Sequence, residues 1–475
     1  MPDVQQAPSD AGSGAPRVPR SLLLTVGSTS AAKVAVMGVS GLLGLLTSRM
    51  IISHFGTDAY AQYGLLASFP ALLPFADLGM AAILINAVAG STAVRSDPYV
   101  RHAITTALRI LAVAGAVILA LSGLITGLGL WPTLLGSGLR AGGSAAAMVC
   151  LAVFAIVLPL TVGPRLLVGL GRTSTQVACQ LLVAPFIFAM VSLAVATRAP
   201  VGDYLAVLSY LGSGLVAALA LSIAGRQLKP QLGEAVRDVA HLRDVPSLPA
   251  LNLAWPMLVQ MIALPIAMQT DRLLLSHRTS GTELAQYNLA SQLFGMVLQA
   301  IMAGGMALWP IYARARADAE LRSPFKPAVA FALMGLALAG VLALVAPWVA
   351  EFVSGGAIVL DGWLIGGFVV FVGLQAVKYP LGMYMTDHRG LRFQVVPILV
   401  MVPLNLGISW WLIGVVGPGG PIIGSAITVL LCQVLPNFAY VSRDLTRRAQ
   451  ARTQAAAEPA HDERPTWTET SDPTS

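Results

Sequence analysis

The sequence predicts an all-α polytopic membrane protein, and its composition and the lengths of its apolar runs are the basis for this. Of 475 residues, 56% are hydrophobic and 11% charged, whereas a soluble protein carries about 25% charged residues. The mean hydropathy is +0.75. The apolar residues form runs of roughly 20, the length of a helix that crosses a bilayer. Alternating ten-residue segments, which would indicate a β-barrel, are absent from the sequence.

Twelve apolar runs are predicted to cross the membrane. Each must be helical because lipid offers no hydrogen-bond partners to an exposed backbone. The predicted spans are 30–52, 59–89, 103–129, 143–163, 175–197, 203–224, 250–275, 286–311, 327–350, 362–385, 393–416 and 420–441. An even number of spans places both chain ends on the same side.

The distribution of basic residues predicts which side that is. With the N-terminus assigned to the cytoplasm, cytoplasmic segments hold 21 of the 29 Lys and Arg residues, the opposite side three and the spans five. Cytoplasmic loops are enriched in Lys and Arg, so both termini are predicted to be cytoplasmic. The net charge of +7 is explained by this topology, and a nucleic-acid partner is not expected.

Two sequence matches relate the halves of the chain. Residues 49–63 begin with Arg and end in Ala-Gln-Tyr, as do residues 272–287; residues 172–185 and 389–403 also resemble each other. Six spans per half give both halves the same orientation, as in transporters built from parallel repeats. We therefore expect two pseudo-symmetric six-helix lobes around a central cavity. The predicted organisation is a disordered tail (1–20), an N-terminal lobe (21–225), an inter-lobe loop (226–249), a C-terminal lobe (250–442) and a second disordered tail (443–475).

Ionisable residues inside the spans are the candidate functional residues, because a charge at the centre of a span costs about 2.5–3.5 kcal/mol on insertion scales. They are Lys33, Arg49, Arg109, Arg272, Lys378, Asp77 and Asp271. Long basic side chains can reach an interface from within a span, and Arg109 is interpreted as such an anchor. The remaining cations are candidate ligands of an anionic substrate.

Position within the spans ranks these candidates. Arg49 and Arg272 recur at matching positions of the two halves, which favours a shared role facing the cavity. Lys378 lies deep in its span, and Lys33 lies near a boundary. Asp77 is interpreted as bracing a helix break, and Asp271 points about 100° away from Arg272 on a helix and needs another partner. Both aspartates are supporting or coupling candidates.

Sequence patterns of enzymes and cofactor sites are missing. No lysine follows a glycine, so there is no Walker A loop, and HExxH, GxSxG and metal-spaced histidines are absent from the sequence. Cys150, Cys179 and Cys432 lie in apolar stretches and define no disulfide framework. The loops opposite the cytoplasm are short. We expect no enzyme activity, no catalytic residue, no metal and no cofactor.

Several segments resemble the polysaccharide biosynthesis flippases of the multidrug/oligosaccharidyl-lipid/polysaccharide exporter superfamily. The resemblance spans residues 30–441. It is carried by residues 48–64, by Phe75-Ala-Asp-Leu-Gly79, by residues 271–287 and by Leu308-Trp-Pro-Ile-Tyr312. One departure is that many relatives carry an Arg soon after Asp-Leu-Gly, whereas this chain has Ala81 and Ala82.

The resemblance implies two six-helix lobes in a V shape, a bacterial inner-membrane location and export of polyprenyl-pyrophosphate-linked oligosaccharides by alternating access. It also implies that Arg49, Arg272, Lys33 and Lys378 contact the anionic headgroup. Membrane lipids are partners, and glycosyltransferases or a polymerase of the same pathway could be further partners.

Three alternatives stay open at this stage. A drug or cation antiporter of the same superfamily would need carboxylates in its cavity, and the five cations against two anions in the spans disfavour it. A membrane glycan polymerase or ligase would need a larger external loop or domain for acid–base groups. A scaffold without transport activity is the third.

Overall fold

The computed structural model describes residues 20–73, 80–91, 93–240, 255–306, 308–317 and 320–457. Within these ranges the secondary structure is helical, without a β-strand. The N-terminal lobe contains α1 (Arg20–Phe55), α2 (Thr57–Ala67), α3 (Phe69–Leu72), α4 (Met80–Ala89), α5 (Pro98–Gly127), α6 (Trp131–Leu135), α7 (Gly143–Val157), α8 (Val162–Gly169), α9 (Thr173–Gln180), α10 (Val183–Ala196) and α11 (Val207–Gln227).

A short helix, α12 (Gln231–Asp238), follows the first lobe. The C-terminal lobe contains α13 (Trp255–Gln269), α14 (Asp271–Arg278), α15 (Gly281–Met306), α16 (Trp309–Ala317), α17 (Phe325–Ser354), α18 (Gly362–Tyr384), α19 (His388–Val416), α20 (Gly420–Val429) and α21 (Leu435–Ala457). Short 3₁₀ turns lie at Gly136–Gly138, Leu158–Thr161, Gly202–Tyr204 and Gly417–Gly419, and a π-helical turn lies at Leu430–Val434.

The helices confirm a polytopic membrane protein. Among the described residues, eight helical segments are long and apolar enough to cross a membrane. One of them, Arg389–Gln454, is continuously helical and contains the last two predicted spans. These are two separate crossings, since the chain reverses at Gly417–Gly419 and α20 packs back against α19. The predicted spans 30–52, 59–89 and 250–275 correspond to α1, to α2–α4 and to α13–α14, which are helical over their described backbone.

Two predicted segment boundaries differ from the structure. The predicted inter-lobe loop contains α12, which is held against α5 because Arg101 Nε lies 2.5 Å from Asp238 Oδ2 and Arg101 Nη1 lies 2.8 Å from Glu234 Oε2. The predicted C-terminal tail begins as the end of α21, which reaches Ala457. Its alanines and arginines favour helix, and Asp444 accepts a hydrogen bond from Tyr384 at 2.7 Å. Residues 1–19 and 458–475, the other predicted tail residues, lie outside the described ranges.

Glycines let helices of the N-terminal lobe approach closely. A Cβ atom added at Gly163 in α8 would overlap the backbone of Leu221 in α11, whereas a Cβ at Gly123 in α5 would meet nothing within 4 Å. Packed membrane helices use small residues for such close contacts. The α8–α11 contact therefore depends on the missing side chain.

We expect Gly163→Ala to lower the thermal stability of the purified protein. Replacing a helical Gly by Ala gains about 0.5–1 kcal/mol in backbone entropy, but overlap in a packed core costs about 1–3 kcal/mol. Gly123→Ala is the matched control, since it keeps the entropy gain without the overlap. Thermal unfolding in detergent measures both variants. An equal or higher midpoint for Gly163→Ala than for Gly123→Ala would contradict the assigned contact.

The two lobes meet at one end of the bundle, which we call the distal end because α1 ends there, at Phe55. The opposite, proximal end is where α1 begins and α18 ends. At the distal end the Oγ of Ser48 donates to Gln292 Oε1 at 2.9 Å, and Asn288 Nδ2 donates to the carbonyl of Ala61 at 3.2 Å. These contacts join α1 and α2 to α15.

A second group of distal contacts joins the α6 region to α14. The Oγ of Ser276 accepts from the backbone N–H of Gly138 at 3.1 Å and donates to the carbonyl of Leu135. His277 Nε2 lies 3.0 Å from the carbonyl oxygen of Thr133. We call these inter-lobe contacts together the distal seal. They pair Ser48 with Gln292, Ala61 with Asn288, and both Leu135 and Gly138 with Ser276.

Candidate functional site

The break between α13 and α14 positions the first pair of charged residues. Pro265 lies inside α13, where it cannot donate a helical hydrogen bond, and α13 ends four residues later. A new helix then begins at Asp271, directly before Arg272. An acidic residue in the first turn suits the positive end of a helix dipole. The break sets both side chains in the interior of the C-terminal lobe.

Asp271 is a buried carboxyl group in the C-terminal lobe. Its side chain is 3% exposed, and its Oδ2 accepts a hydrogen bond from the Tyr287 hydroxyl at 2.5 Å. The Ser425 hydroxyl lies 3.5 Å from the same oxygen. Within the part of the chain that the structure describes, Oδ1 has no hydrogen-bond partner. Asp271 thus has a partner other than Arg272, as its spacing predicts, and keeps one acceptor unused.

Arg272 is half-buried, and its guanidinium is held by neutral groups of α15. Its Nε donates to Asn288 Oδ1 at 2.8 Å, and its Nη2 donates to the Ser291 hydroxyl at 2.5 Å. The guanidinium carbon lies 5.9 Å from the centre of the Tyr287 ring. These contacts orient the group without cancelling its charge.

Asn288 connects Arg272 to the distal seal. Its side-chain oxygen accepts from Arg272, and its nitrogen donates to Ala61 of the other lobe. In the sequence repeat, Gly64 of α2 aligns with Asn288 of α15. Gly64 also lies against Asn288 in space, because a Cβ atom added at Gly64 would overlap the Asn288 amide. The guanidinium and the inter-lobe contact therefore share one amide group.

Lys378 supplies a second positive charge one turn after Gln375 in α18. The side chain is half-buried, and its Nζ lies 5.3 Å from the centre of the Tyr379 ring. Gln375 is buried, and its Nε2 contacts the Met268 sulfur at 3.8 Å. Lys378 thus lies on an apolar and aromatic wall rather than in an ion pair with one of these neighbours.

A cavity of about 600 Å³ brings these groups together. Its lining includes Asp271, Arg272, Tyr287, Ser291, Gln375 and Lys378. Among the described lining residues, Ala71 comes from the N-terminal lobe and the others come from the C-terminal lobe. A smaller cavity of about 250 Å³ shares Lys378 and Tyr379 with it and lies toward the proximal end. We call these the main cavity and the side cavity.

The N-terminal lobe has a cavity of a different character. It measures about 280 Å³. Hydroxyl groups of α1 and α2 and the amide of Gln292 in α15 line it together with apolar residues of α10 such as Val183 and Ile187. None of its described lining residues is charged. The main cavity and this one therefore differ in charge, since Arg272 and Lys378 line the main cavity. A further cavity between α5 and α12, lined by Arg95 and Arg101 together with Glu234 and Asp238, carries charges of both signs.

The structure places the six predicted site residues in different surroundings. It brings Arg272, Lys378 and Asp271 together in the main cavity. Arg49 is exposed at the distal end instead, where its Nη1 donates to the Phe352 carbonyl at 2.8 Å and its guanidinium lies 4.2 Å from the Phe352 ring. The Lys33 side chain and residue Asp77 lie outside the described part of the structure.

Polar residues of α15 form much of the site and were not identified from the sequence. Tyr287, Asn288, Ser291 and Gln292 contact Asp271, Arg272 or the distal seal. Tyr287 and Ser291 are four residues apart, as are Asn288 and Gln292, so the two pairs form adjacent rows on one side of the helix. A row of polar residues along one side of a predicted span is the sequence pattern that would have indicated these residues.

Arginine and lysine in one membrane cavity are suited to binding an anion. The planar guanidinium can form two parallel hydrogen bonds to phosphate or carboxylate oxygens, and the ammonium adds a compact point charge. Charge interactions are stronger at low effective dielectric than in water. The arrangement can select for negative charge, and no reaction chemistry is needed for that.

No protein-family model and no curated protein matches this sequence. Solved structures match it over most of its length. An inward-facing multidrug resistance MATE family transporter of the MOP superfamily aligns with a TM-score of 0.65 at 16% identity, covering 88% of this chain and 98% of its own. The lipid II flippase MurJ in an inward closed conformation aligns with a TM-score of 0.67 at 12% identity, covering 89% and 90%.

A third similar structure is a MOP superfamily transporter from Pyrococcus furiosus, described by the reverse polarity of its binding pocket. It aligns with a TM-score of 0.61 at 17% identity, covering 88% of this chain and 95% of its own. These similarities show that the chain has the fold of MOP superfamily transporters. At such identities they establish the fold alone.

Proposed function

We propose that this protein is a flippase that moves polyprenyl-pyrophosphate-linked oligosaccharides across the bacterial inner membrane. The observation that carries the proposal is the pairing of Arg272 and Lys378 in one cavity within the membrane-spanning helices. A charge in a span costs about 2.5–3.5 kcal/mol on insertion scales and marks a substrate or ion pathway. Two cations against the one carboxyl group of Asp271 give the cavity more basic than acidic side chains, which favours an anionic cargo such as a diphosphate.

The lobe contacts support an alternating-access mechanism. The distal seal joins the lobes on one side of the cavity, and the side cavity lies between the main cavity and the proximal end. We propose that the proximal end faces the cytoplasm, as the excess of basic residues predicts. The headgroup would enter there, and rocking of the lobes would open the seal and expose the cavity to the other side.

The polyprenyl chain would stay in lipid while the headgroup crosses. The main cavity has a volume of about 600 Å³, within the roughly 300–1,000 Å³ of sites for small molecules, so it suits a headgroup rather than the whole lipid. Likeness to a lipid II flippase supports this class of cargo. The protein would need no catalytic residue, and membrane glycosyltransferases would supply the cargo.

Asp271 favours a second candidate function, a drug or cation antiporter. A buried carboxyl group with one unused oxygen in a membrane cavity is suited to binding a proton or a metal cation. Likeness to MATE multidrug transporters supports this alternative equally. The two candidates differ in the charge of the cargo, and a transport assay separates them.

We expect vesicles containing the full-length protein to flip a fluorescent undecaprenyl-pyrophosphate oligosaccharide faster than protein-free vesicles. A membrane-impermeant quencher measures the labelled headgroup in each leaflet. The same vesicles loaded with ethidium and given a sodium or proton gradient test the antiporter. Gradient-driven ethidium movement that Asp271→Asn abolishes, with no acceleration of lipid flipping, would replace the flippase proposal by the antiporter.

A further inference from the structure

The side cavity differs chemically from the main cavity to which it is joined. Its lining combines apolar side chains, such as Leu264, Met383 and Ile398, with polar ones. The polar ones include the amides of Gln394, Gln433 and Asn437 and the side chain of Thr386. Its volume is about 250 Å³, smaller than the roughly 300–1,000 Å³ of a typical drug-sized site. Among its described lining residues, Lys378 is the basic one. Lys378 also lines the main cavity, so it lies between the two cavities.

A π-helical turn directs one of these amides into the side cavity. The turn at Leu430–Val434 separates α20 from α21 and contains Gln433. Turns of this kind are rare within α-helices and often occur at functional sites. Asn437 follows four residues later, so the two amides lie on the same helix face. Both are 5% exposed.

The amides have unused hydrogen-bonding capacity. Gln433 Nε2 contacts the Met401 sulfur, a weak acceptor. Gln394 Nε2 donates to the Met385 carbonyl at 3.3 Å. Asn437 is buried and lines the cavity beside these two amides. Amide groups that line a cavity and have weak protein partners can bond a polar ligand there.

The donor and acceptor set indicates the class of that ligand. Each amide offers an N–H donor and a carbonyl acceptor, and hydroxyl groups use both. A second phosphate would need more cations than Lys378. A neutral polyhydroxyl ring of modest size matches the amides, the Thr386 hydroxyl and the volume.

We infer that the side cavity binds the first sugar of the cargo, while Arg272 and Lys378 hold its diphosphate in the main cavity. This inference rests on the proposed flippase function. Lys378 lies between the two cavities because it lines both of them. In such a lipid the diphosphate is bonded directly to the first sugar, so the two groups would occupy adjoining cavities. The Tyr379 ring also lines both cavities, beside Gly305, whose missing side chain leaves it room.

Two lipid probes test the inference with the full-length protein in nanodiscs. One is undecaprenyl pyrophosphate, and the other is the same lipid carrying one N-acetylglucosamine. We expect the wild-type protein to bind the sugar-bearing lipid at least tenfold more tightly. The double variant Gln433→Leu/Asn437→Leu should lose this preference and bind the bare lipid within twofold of the wild type. Gln180→Leu, an exposed amide in α9, is the control variant.

The outcomes separate the inference from the function on which it rests. Loss of both affinities in Arg272→Ala, with the sugar preference unchanged in Gln433→Leu/Asn437→Leu, would overturn the sugar site and leave the flippase. Unchanged affinities for both lipids in Arg272→Ala would overturn the diphosphate site itself. If the double variant does not fold, the affinities of the wild-type protein for the two lipids test the inference. Equal affinity for both lipids would overturn it without any variant.

Discussion

Arg272→Ala is expected to reduce lipid flipping at least tenfold without lowering the amount of protein in the membrane. The guanidinium lines the main cavity and is oriented by Asn288 and Ser291. A hydrogen bond to a charged group contributes about 1.5–3 kcal/mol, and a tenfold change corresponds to about 1.4 kcal/mol. Flipping rates in reconstituted vesicles, together with immunoblots of membranes, measure the two quantities.

Two arginine variants serve as controls for this result. Arg272→Lys keeps the charge but loses the planar fork, so we expect it to retain an intermediate rate. Arg49→Ala removes the repeat-related arginine, which lies against Phe352 and outside the described cavities. We expect Arg49→Ala to leave binding of undecaprenyl pyrophosphate within twofold of the wild type. An equal loss of binding in Arg49→Ala and Arg272→Ala would restore the symmetric site that the sequence predicts.

Locking the distal seal is expected to abolish transport. A Cβ placed at Gly138 would lie 3.2 Å from the Cβ of Ser276 in the other lobe, close to the roughly 3.5–4.5 Å found across disulfides. Oxidation of the Gly138→Cys/Ser276→Cys variant should therefore cross-link the lobes and hold the distal end closed. Flipping should stop after oxidation and return after reduction, measured in the same vesicles.

Single variants distinguish locking from damage to the seal. Gly138→Cys and Ser276→Cys alone each disturb the contact between Ser276 and Gly138 but cannot form this cross-link. Oxidation should leave their rates unchanged, since the native cysteines Cys150, Cys179 and Cys432 are buried. Full flipping by the cross-linked protein would show that the lobes need not separate at this end, contrary to the alternating-access mechanism.

The helical architecture was predictable because it depends on local properties of the chain. The length of an apolar run decides whether it can cross a bilayer, and the described helices overlap the predicted spans. The exceptions were polar segments. The sequence did not predict α12, whose position depends on ion pairs between Arg101 and the distant residues Glu234 and Asp238, nor the extension of α21 to Ala457.

The site was predictable only as a set of candidates. Insertion cost identifies seven charged residues from sequence alone, and the structure places three of them, Arg272, Lys378 and Asp271, in one cavity. The amides of the side cavity could not be found in this way, because Gln394, Gln433 and Asn437 are uncharged and come from α19, the π-helical turn and α21. Gln433 and Asn437 are close in the chain, whereas Gln394 comes beside them only because α19 packs against that part of the lobe.

The sequence by itself determined that the chain is a helical membrane protein, which charges lie inside its spans and that its halves share a motif. Only the tertiary structure decided where those charges point. Arg49 and Arg272 occupy the same place in the repeated motif, yet one lies against Phe352 of α17 and the other is held by α15 inside a cavity. The physical reason is that the surroundings of a side chain are set by the helices packed against it, and these differ between the two lobes.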